Sequence, residues 1–219
     1  YPKLNVKILS SHGGLTAAID GVTHQASEDI AFMSTLPDMR VLVPCDKASA
    51  KAAFDIAMAA PGPVFTRLMR DPLWDIYPDD EEFVLGGSKV LTKGSHITIA
   101  SYGDMVFQAL EAAKLLEKKG IQAEVMDMYS VKPFDEKTLL RSIRKTGALL
   151  VVENHQRRNG LGYALGTFCL KNNPVPFDNL GLDDTFGESG DYFKVIDKYG
   201  ISARAIASAA AKLLKKKKA

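Results

Sequence analysis

The chain has 219 residues, 46% hydrophobic and 25% charged, with 28 basic residues against 26 acidic and a formal net charge of +2. That length suits one large core or two small domains, and the charge balance argues against the concentrated basic surface that binding nucleic-acid phosphates requires. No apolar run approaches the ~20 residues of a membrane span, the opening YPKLNVKIL lacks the plan of a signal peptide, and Cys45 and Cys169 stand apart in apolar stretches. The expectation is a cytoplasmic protein with no membrane or nucleic-acid partner, no disulfide framework and no structural zinc.

The first predicted strand covers residues 6–9, with almost nothing before it, so the chain reads as one cut into mid-domain. Residues 10–21, SSHGGLTAAIDG, suit a loop leaving the end of a buried strand. A short helix is expected over 27–35 and a strand over 40–43. Asp46 then caps a helix with Ala50, Ala53, Phe54 and Ala57 on one face, stopped by Pro61, Gly62 and Pro63. A strand over 64–68 leads into DPLWDIYPDDEEF, whose two prolines and six acids make it the linker candidate.

Beyond the linker, strand and helix alternate: a strand over 97–100, a helix from the cap Asp104 to Gly120, a strand over 123–128, and a helix capped by Asp135 with Phe134 and Leu139 as a hydrophobic staple. Gly147 ends that helix before a strand over 148–152. A glycine-interrupted helix over 160–172, a strand over 176–182 and a helix from Ser202 through Leu214 complete the pattern. The fold class is α/β, with a mostly parallel sheet.

Two of the four histidines, His12 and His24, lie close together around the glycine-rich loop that carries Asp20. Imidazole exchanges protons near neutral pH, and a neighbouring carboxylate can orient it or accept a substrate hydroxyl. These residues alone leave two readings open: a polar pocket at a strand end, or a helix entrance satisfied by His24 and a turn capped by Asp20. His155 in VVENH reads as a structural residue at a strand end, and His96 as solvent-facing. GLGYALG follows its strand too distantly for a dinucleotide loop. The run Lys215–Lys218 reads as a solvated helix terminus.

SHGGLTAAIDGVTHQASEDIAFMSTLPDMRVLVPCD resembles the pyrimidine-binding domain of transketolases, whose signature is a histidine, seven residues, then Asp-Gly-x-Thr-His-Gln. The resemblance continues through PGPVFTRLMRDP, VVENH, FGESG and the closing Lys-Tyr-Gly-x-x-Ala, and so covers essentially the whole chain. Val22 departs from it, standing where the family usually has proline. The implied organisation is a partial pyrimidine-binding domain over 1–70, a linker over 71–86 and a transketolase C-terminal domain over 87–219.

The resemblance implies thiamin-diphosphate-dependent transfer of a two-carbon ketol group between a ketose phosphate and an aldose phosphate, as in the pentose phosphate pathway. His12 matches the histidine that helps hold the sugar phosphate, Asp20 the acid that receives a substrate hydroxyl, His24 the histidine near the reacting carbonyl, and Arg70 the arginine that grips the acceptor phosphate. Arg67 is a weaker candidate, on the opposite strand face, for which a surface or interface ion pair is equally apt. The chain has no Gly-Asp-Gly loop for the diphosphate and its divalent cation, Mg or Ca, and the activating glutamate of the family lies upstream of the position of Tyr1. The resemblance therefore implies that both cofactors are held mainly by an N-terminal transketolase subunit, in a dimer or heterotetramer, and that this chain alone is inactive. Competing readings are a 2-oxoacid dehydrogenase β subunit, a deoxyxylulose-phosphate synthase, or a non-catalytic assembly module.

Overall fold

The computed structural model describes residues 1–71 and 74–217, so Pro72 of the expected linker and Lys218 of the lysine run lie outside the described residues. The first sheet has the order β1-β3-β2-β7, from β1 (Lys7–Ser10), β2 (Arg40–Leu42), β3 (Val64–Arg67) and β7 (Ser130–Lys132). Its first three strands are parallel and β7 runs antiparallel to β2. The second has the order β4-β6-β5-β8-β9, from β4 (Lys89–Val90), β5 (Ile97–Ser101), β6 (Ala123–Asp127), β8 (Leu149–Gln156) and β9 (Phe177–Leu182), with only β4 antiparallel.

The helices are α1 (Asp29–Thr35), α2 (Lys47–Ala59), α3 (Met105–Glu117), α4 (Glu136–Thr146), α5 (Leu161–Asn172), α6 (Tyr192–Lys198) and α7 (Ala203–Lys217). The α/β class and the mostly parallel sheet are as the alternating pattern required. Strand β7 was not legible: only Met128 and Tyr129 separate it from β6, yet the two strands join different sheets. One apolar cluster consequently spans both sheets, packing Val41, Val43 and Phe65 against Ala100, Met126 and Val151. Helix α6 also escaped the sequence pattern.

Local chemistry explains most boundaries. The Asp46 carboxylate accepts from Ser49 N–H at 2.8 Å while the Ser49 hydroxyl accepts from Asp46 N–H at 3.0 Å, a reciprocal cap on α2. Asp135 caps α4 through Thr138 N–H at 2.9 Å, and Gly147 ends it at φ 64°. The buried stripe of α2 is Ala48, Ser49, Ala53 and Ala57, and Phe54, expected on that face, is exposed.

Asp104, expected as a cap, makes no side-chain capping bond. It is buried, and its carboxylate accepts from Asn154 Nδ2 and from the Tyr192 hydroxyl, each at 2.7 Å. The segment 74–86 has no regular structure but is tied down: Asp46 accepts from the N–H groups of Ile76 and Tyr77, and Trp74 stacks on Phe107 with centroids 3.8 Å apart. At the far end of the chain, Lys217 Nζ donates to the Thr146 carbonyl near the end of α4.

Candidate functional site

β1 ends at Ser10, and the next residues form the loop over β3 that the sequence marked. His12 adopts φ +65°, a left-handed conformation uncommon for a residue with a Cβ and concentrated at functional positions. The loop is closed by backbone bonds: Gly13 N–H to the Leu68 carbonyl at 3.1 Å, Ala26 N–H to the His12 carbonyl at 3.2 Å and Gly14 N–H to the Ala26 carbonyl at 2.6 Å. Between these points run a 3-10 turn over Gly14–Ala17, then Gly21 at φ +86° and a second 3-10 turn over Val22–His24. The Asp-Gly pair is thus a true reversal, and glycine is needed there because φ is positive.

This closure brings His12 and His24 together, their ring centroids 6.3 Å apart. Ser11 Oγ engages His12 Nδ1 at 2.7 Å and Thr23 Oγ1 engages His24 Nδ1 at 3.0 Å, so the described bonds orient each ring through Nδ1. His24 is exposed and His12 half-buried. A second pair joins this loop to the segment after β3: Arg70 Nε donates to Asp20 Oδ2, with Nη2 to Oδ1 at 3.4 Å, and Arg70 N–H reaches Thr16 Oγ1 at 3.4 Å. Arg70 Nη1 is also bonded to Asp71. The four candidate residues therefore fall into two pairs on one loop system, an imidazole pair and an ion pair.

Beneath the loop lies a buried polar network that sequence reasoning missed. Arg67, the weaker site candidate for which a surface or interface ion pair was equally apt, is 0% exposed. Its Nη2 donates to the Asn154 carbonyl at 2.7 Å, and its Nε faces the Asp29 carboxylate at 3.5 Å. Strand β8 continues four residues past the expected end at Val152, because Glu153, Asn154 and His155, all 0% exposed, are satisfied where they stand. Asn154 Oδ1 accepts from Leu15 N–H at 2.8 Å, tying β8 to the loop.

Glu153 accepts from Leu161 N–H at 2.8 Å, from Gly162 N–H at 3.0 Å and from the Tyr102 hydroxyl at 3.2 Å. The start of α5 in GLGYALG is thus filled by the chain's own carboxylate. Burial pushes Glu153 up to about 7, against the pull of those two N–H groups. His155 Nε2 accepts from Ala31 N–H at 3.3 Å and Nδ1 bonds the Gln156 carbonyl at 2.7 Å; burial first, then the Arg67 charge, hold its pKa down. That is the structural place read for it. His96 is exposed, its Nδ1 accepting from Gln122 N–H at 2.8 Å.

Chemically, the loop offers two imidazoles and a carboxylate, and Arg70 after β3 adds a guanidinium, a set suited to an anionic, hydroxylated substrate with a carbonyl. Among the described residues, no three His, Cys, Asp or Glu side chains are grouped so as to hold a metal ion, and no helix is long and apolar enough to cross a membrane.

Comparison with known proteins bears on the whole chain. The transketolase pyrimidine binding domain matches residues 1–73 and the transketolase C-terminal domain residues 86–206. A 6-deoxy-6-sulfo-D-fructose transketolase subunit from Clostridium sp. (strain MSTE9) is 42% identical over 219 residues, 99% of this chain and 67% of that protein. A subunit of an apulose-4-phosphate transketolase from Phocaeicola vulgatus is 36% identical over 217 residues, 99% of this chain and 69% of its own length. A solved structure described as a split gene transketolase, inactive beta4 tetramer, superposes with a TM-score of 0.93 at 42% identity, over 99% of this chain and 69% of that one.

Proposed function

The chain belongs to the transketolase family and is a subunit of the split type, and from that premise we propose that it binds and orients the sugar while a partner subunit holds most of the cofactor. The observation that carries this reading is that one closed loop pairs His12 with His24 and presents Asp20 to Arg70, which follows β3. The reading divides the chain into pyrimidine-domain residues 1–70, a linker over 71–86 and a C-terminal domain over 87–219.

The family's reaction is thiamin-diphosphate-dependent ketol transfer, and the cofactor, when bound, supplies the nucleophilic carbon. We assign the cation and the diphosphate mainly to an N-terminal subunit, in a dimer or heterotetramer, a reading supported by the likeness to subunits of split transketolases. The tasks left to this chain are binding, orientation and proton traffic. His24, held through Nδ1, presents its other nitrogen to the reacting carbonyl oxygen, where a donor stabilises developing charge.

Asp20 already accepts from Arg70, but a carboxylate has about four acceptor positions, so a substrate hydroxyl can still be received. Arg70 and His12 take the anionic end, for which a planar guanidinium offers parallel donors. The two relatives act, by their names, on a sulfo-sugar and on a sugar 4-phosphate. An anionic sugar is what they share, and we assign the same class here, among the sugar phosphates of pentose phosphate chemistry. Two free, buried cysteines suit a reducing cytoplasm.

The test is reconstitution. The full-length subunit is mixed with its diphosphate-binding partner, thiamin diphosphate and Mg²⁺, then supplied with xylulose 5-phosphate and ribose 5-phosphate. Ketol transfer that needs both polypeptides is the expected result. Decarboxylation of pyruvate without ketol transfer would move the protein to the 2-oxoacid enzymes, and no gain on adding the partner would leave it a non-catalytic module.

A further inference from the structure

We infer that Arg67 is a positioning residue for this reaction: its buried guanidinium clamps the two backbone segments that carry His12 and His24. The inference rests on the substrate roles proposed for those histidines and names what holds them in place. Arg67 lies under the loop, at the end of β3. Its Nη2 donates both to the Asn154 carbonyl at 2.7 Å and to the Ala26 carbonyl at 3.3 Å. Ala26 is two residues past His24, and its carbonyl and N–H are the groups that close the loop onto Gly14 and His12. One guanidinium thereby ties the segment after His24 to the end of β8, and through Ala26 holds the segment around His12.

Packing around the loop points the same way. Gly13 has φ −61° and ψ 135°, a backbone open to any residue. A Cβ there would nevertheless run into Arg67 Nε and come within 2.8 Å of its Cγ, so the missing side chain beside His12 answers to Arg67 and not to the backbone. Asn154 completes the floor: it accepts from Leu15 N–H, and a Cβ on Gly14 would come within 2.5 Å of its Cγ. The loop sits directly on these two side chains.

Stability alone is a poor account of a buried arginine at this place. Arg67 faces one carboxylate at 3.5 Å, and its Nη1 has no hydrogen-bond partner. Replacing such a pair by packed apolar side chains is often neutral or favourable to stability. What an apolar side chain cannot do is bind the Asn154 and Ala26 carbonyls at once.

The test uses the full chain, with its partner subunit for the kinetic arm. Arg67→Met combined with Asp29→Leu removes both charges at similar volume and should keep the melting temperature within a few degrees. The expected outcome is a kcat lower by roughly tenfold or more, because a misplacement of about an ångström at a reacting group carries that kind of penalty. That penalty should largely vanish when the same changes are made in His24→Ala, since the clamp acts through the histidine.

A second readout is independent of turnover: in the full chain without cofactor, the imidazole NMR signals of His12 and His24 should shift while that of His96 stays in place. Gly13→Ala, which displaces the guanidinium without removing its charge, should shift the same two signals and covers the case in which the double variant does not fold. Unmoved His12 and His24 signals in a folded variant, or a kcat penalty that adds in full to that of His24→Ala, would overturn the assignment. Absence of ketol transfer in the unaltered pair would overturn the functional reading and leave the NMR result to decide the clamp.

Discussion

Arg70 Nε donates to the Asp20 carboxylate across fifty positions of sequence. The residue assigned to the substrate's anionic end is therefore already engaged by the residue assigned to its hydroxyl. A phosphate must compete with Asp20 for the guanidinium, so the two roles are energetically linked. In the reconstituted enzyme, Arg70→Ala should raise KM for phosphorylated sugars by roughly tenfold or more, leaving kcat far less affected, because an anion grip acts in ground and transition states alike. Unphosphorylated sugars should show little change. Steady-state kinetics on both sugar classes decide, and an equal penalty for the two would remove Arg70 from the role.

His24→Ala should do the opposite. Its ring is exposed, 6.3 Å from that of His12 and oriented by Thr23, as a group that meets substrate must be. A donor beside an oxygen that gains charge matters most in the transition state, and losing one lowers kcat on the order of a hundredfold. KM should move little. A variant with normal kcat and a raised KM would make His24 a binding residue only.

The contrast between these two residues and Arg67 shows what the sequence could and could not reveal. His12, Asp20 and His24 stand in a loop whose glycines and polar residues fit no helix or strand period, so they were visible as chemistry, whereas Arg70, just past β3, was marked only by the family resemblance. The capped helices were visible for a similar reason: Asp46 and Asp135 act on residues three positions away, within reach of local reading. Arg67, Asp29, Asp104 and Asn154 meet one another across tens of residues, and Glu153 meets Tyr102 across fifty-one. Nothing local marks a charged residue as buried when its partners are distant. The same long reach hid β7, three residues that pair with β2 ninety positions earlier in the chain.

Asp127 shows such a hidden group acting on stability. It is 0% exposed, accepts from the Tyr77 hydroxyl at 2.8 Å and from the Cys45 thiol at 3.3 Å, and burial pushes it up to about 7 from an ordinary 3.8. The folded state thus favours its protonated form. Its contribution is complete below pH 3.8, is lost as pH rises toward about 7, and is constant above. Asp127→Asn keeps an acceptor for Tyr77 but cannot ionise. The unfolding free energy of the variant relative to wild type should therefore rise across that window, by an amount on the order of a few kcal/mol, and then level off. Other carboxylates cancel in the difference. Denaturant melts of both proteins through the window check it, and a difference independent of pH would show that Asp127 stays ionised in the fold.

The segment after β3 supplies the last prediction. Its composition marked it as a linker, but Trp74, the single tryptophan of the chain, stacks on Phe107 of α3 at 3.8 Å with the rings 7° from parallel. Two residues on, Ile76 and Tyr77 give their N–H groups to Asp46 at the start of α2, while the Tyr77 hydroxyl reaches Asp127 at the end of β6. The segment is therefore a strap fixed to elements of both sheets' layers. An offset or stacked aromatic pair contributes about 0.5–1.5 kcal/mol beyond the area it buries. Phe107→Ala should lower the unfolding free energy by at least that amount and shift the emission of Trp74 to the red as its face meets water. Because the chain holds no second tryptophan, the spectrum reports the surroundings of Trp74 alone, which also include Phe193 with its ring centroid 6.1 Å away. Unchanged emission in a folded Phe107→Ala chain would mean that Trp74 is held by something other than the ring beneath it.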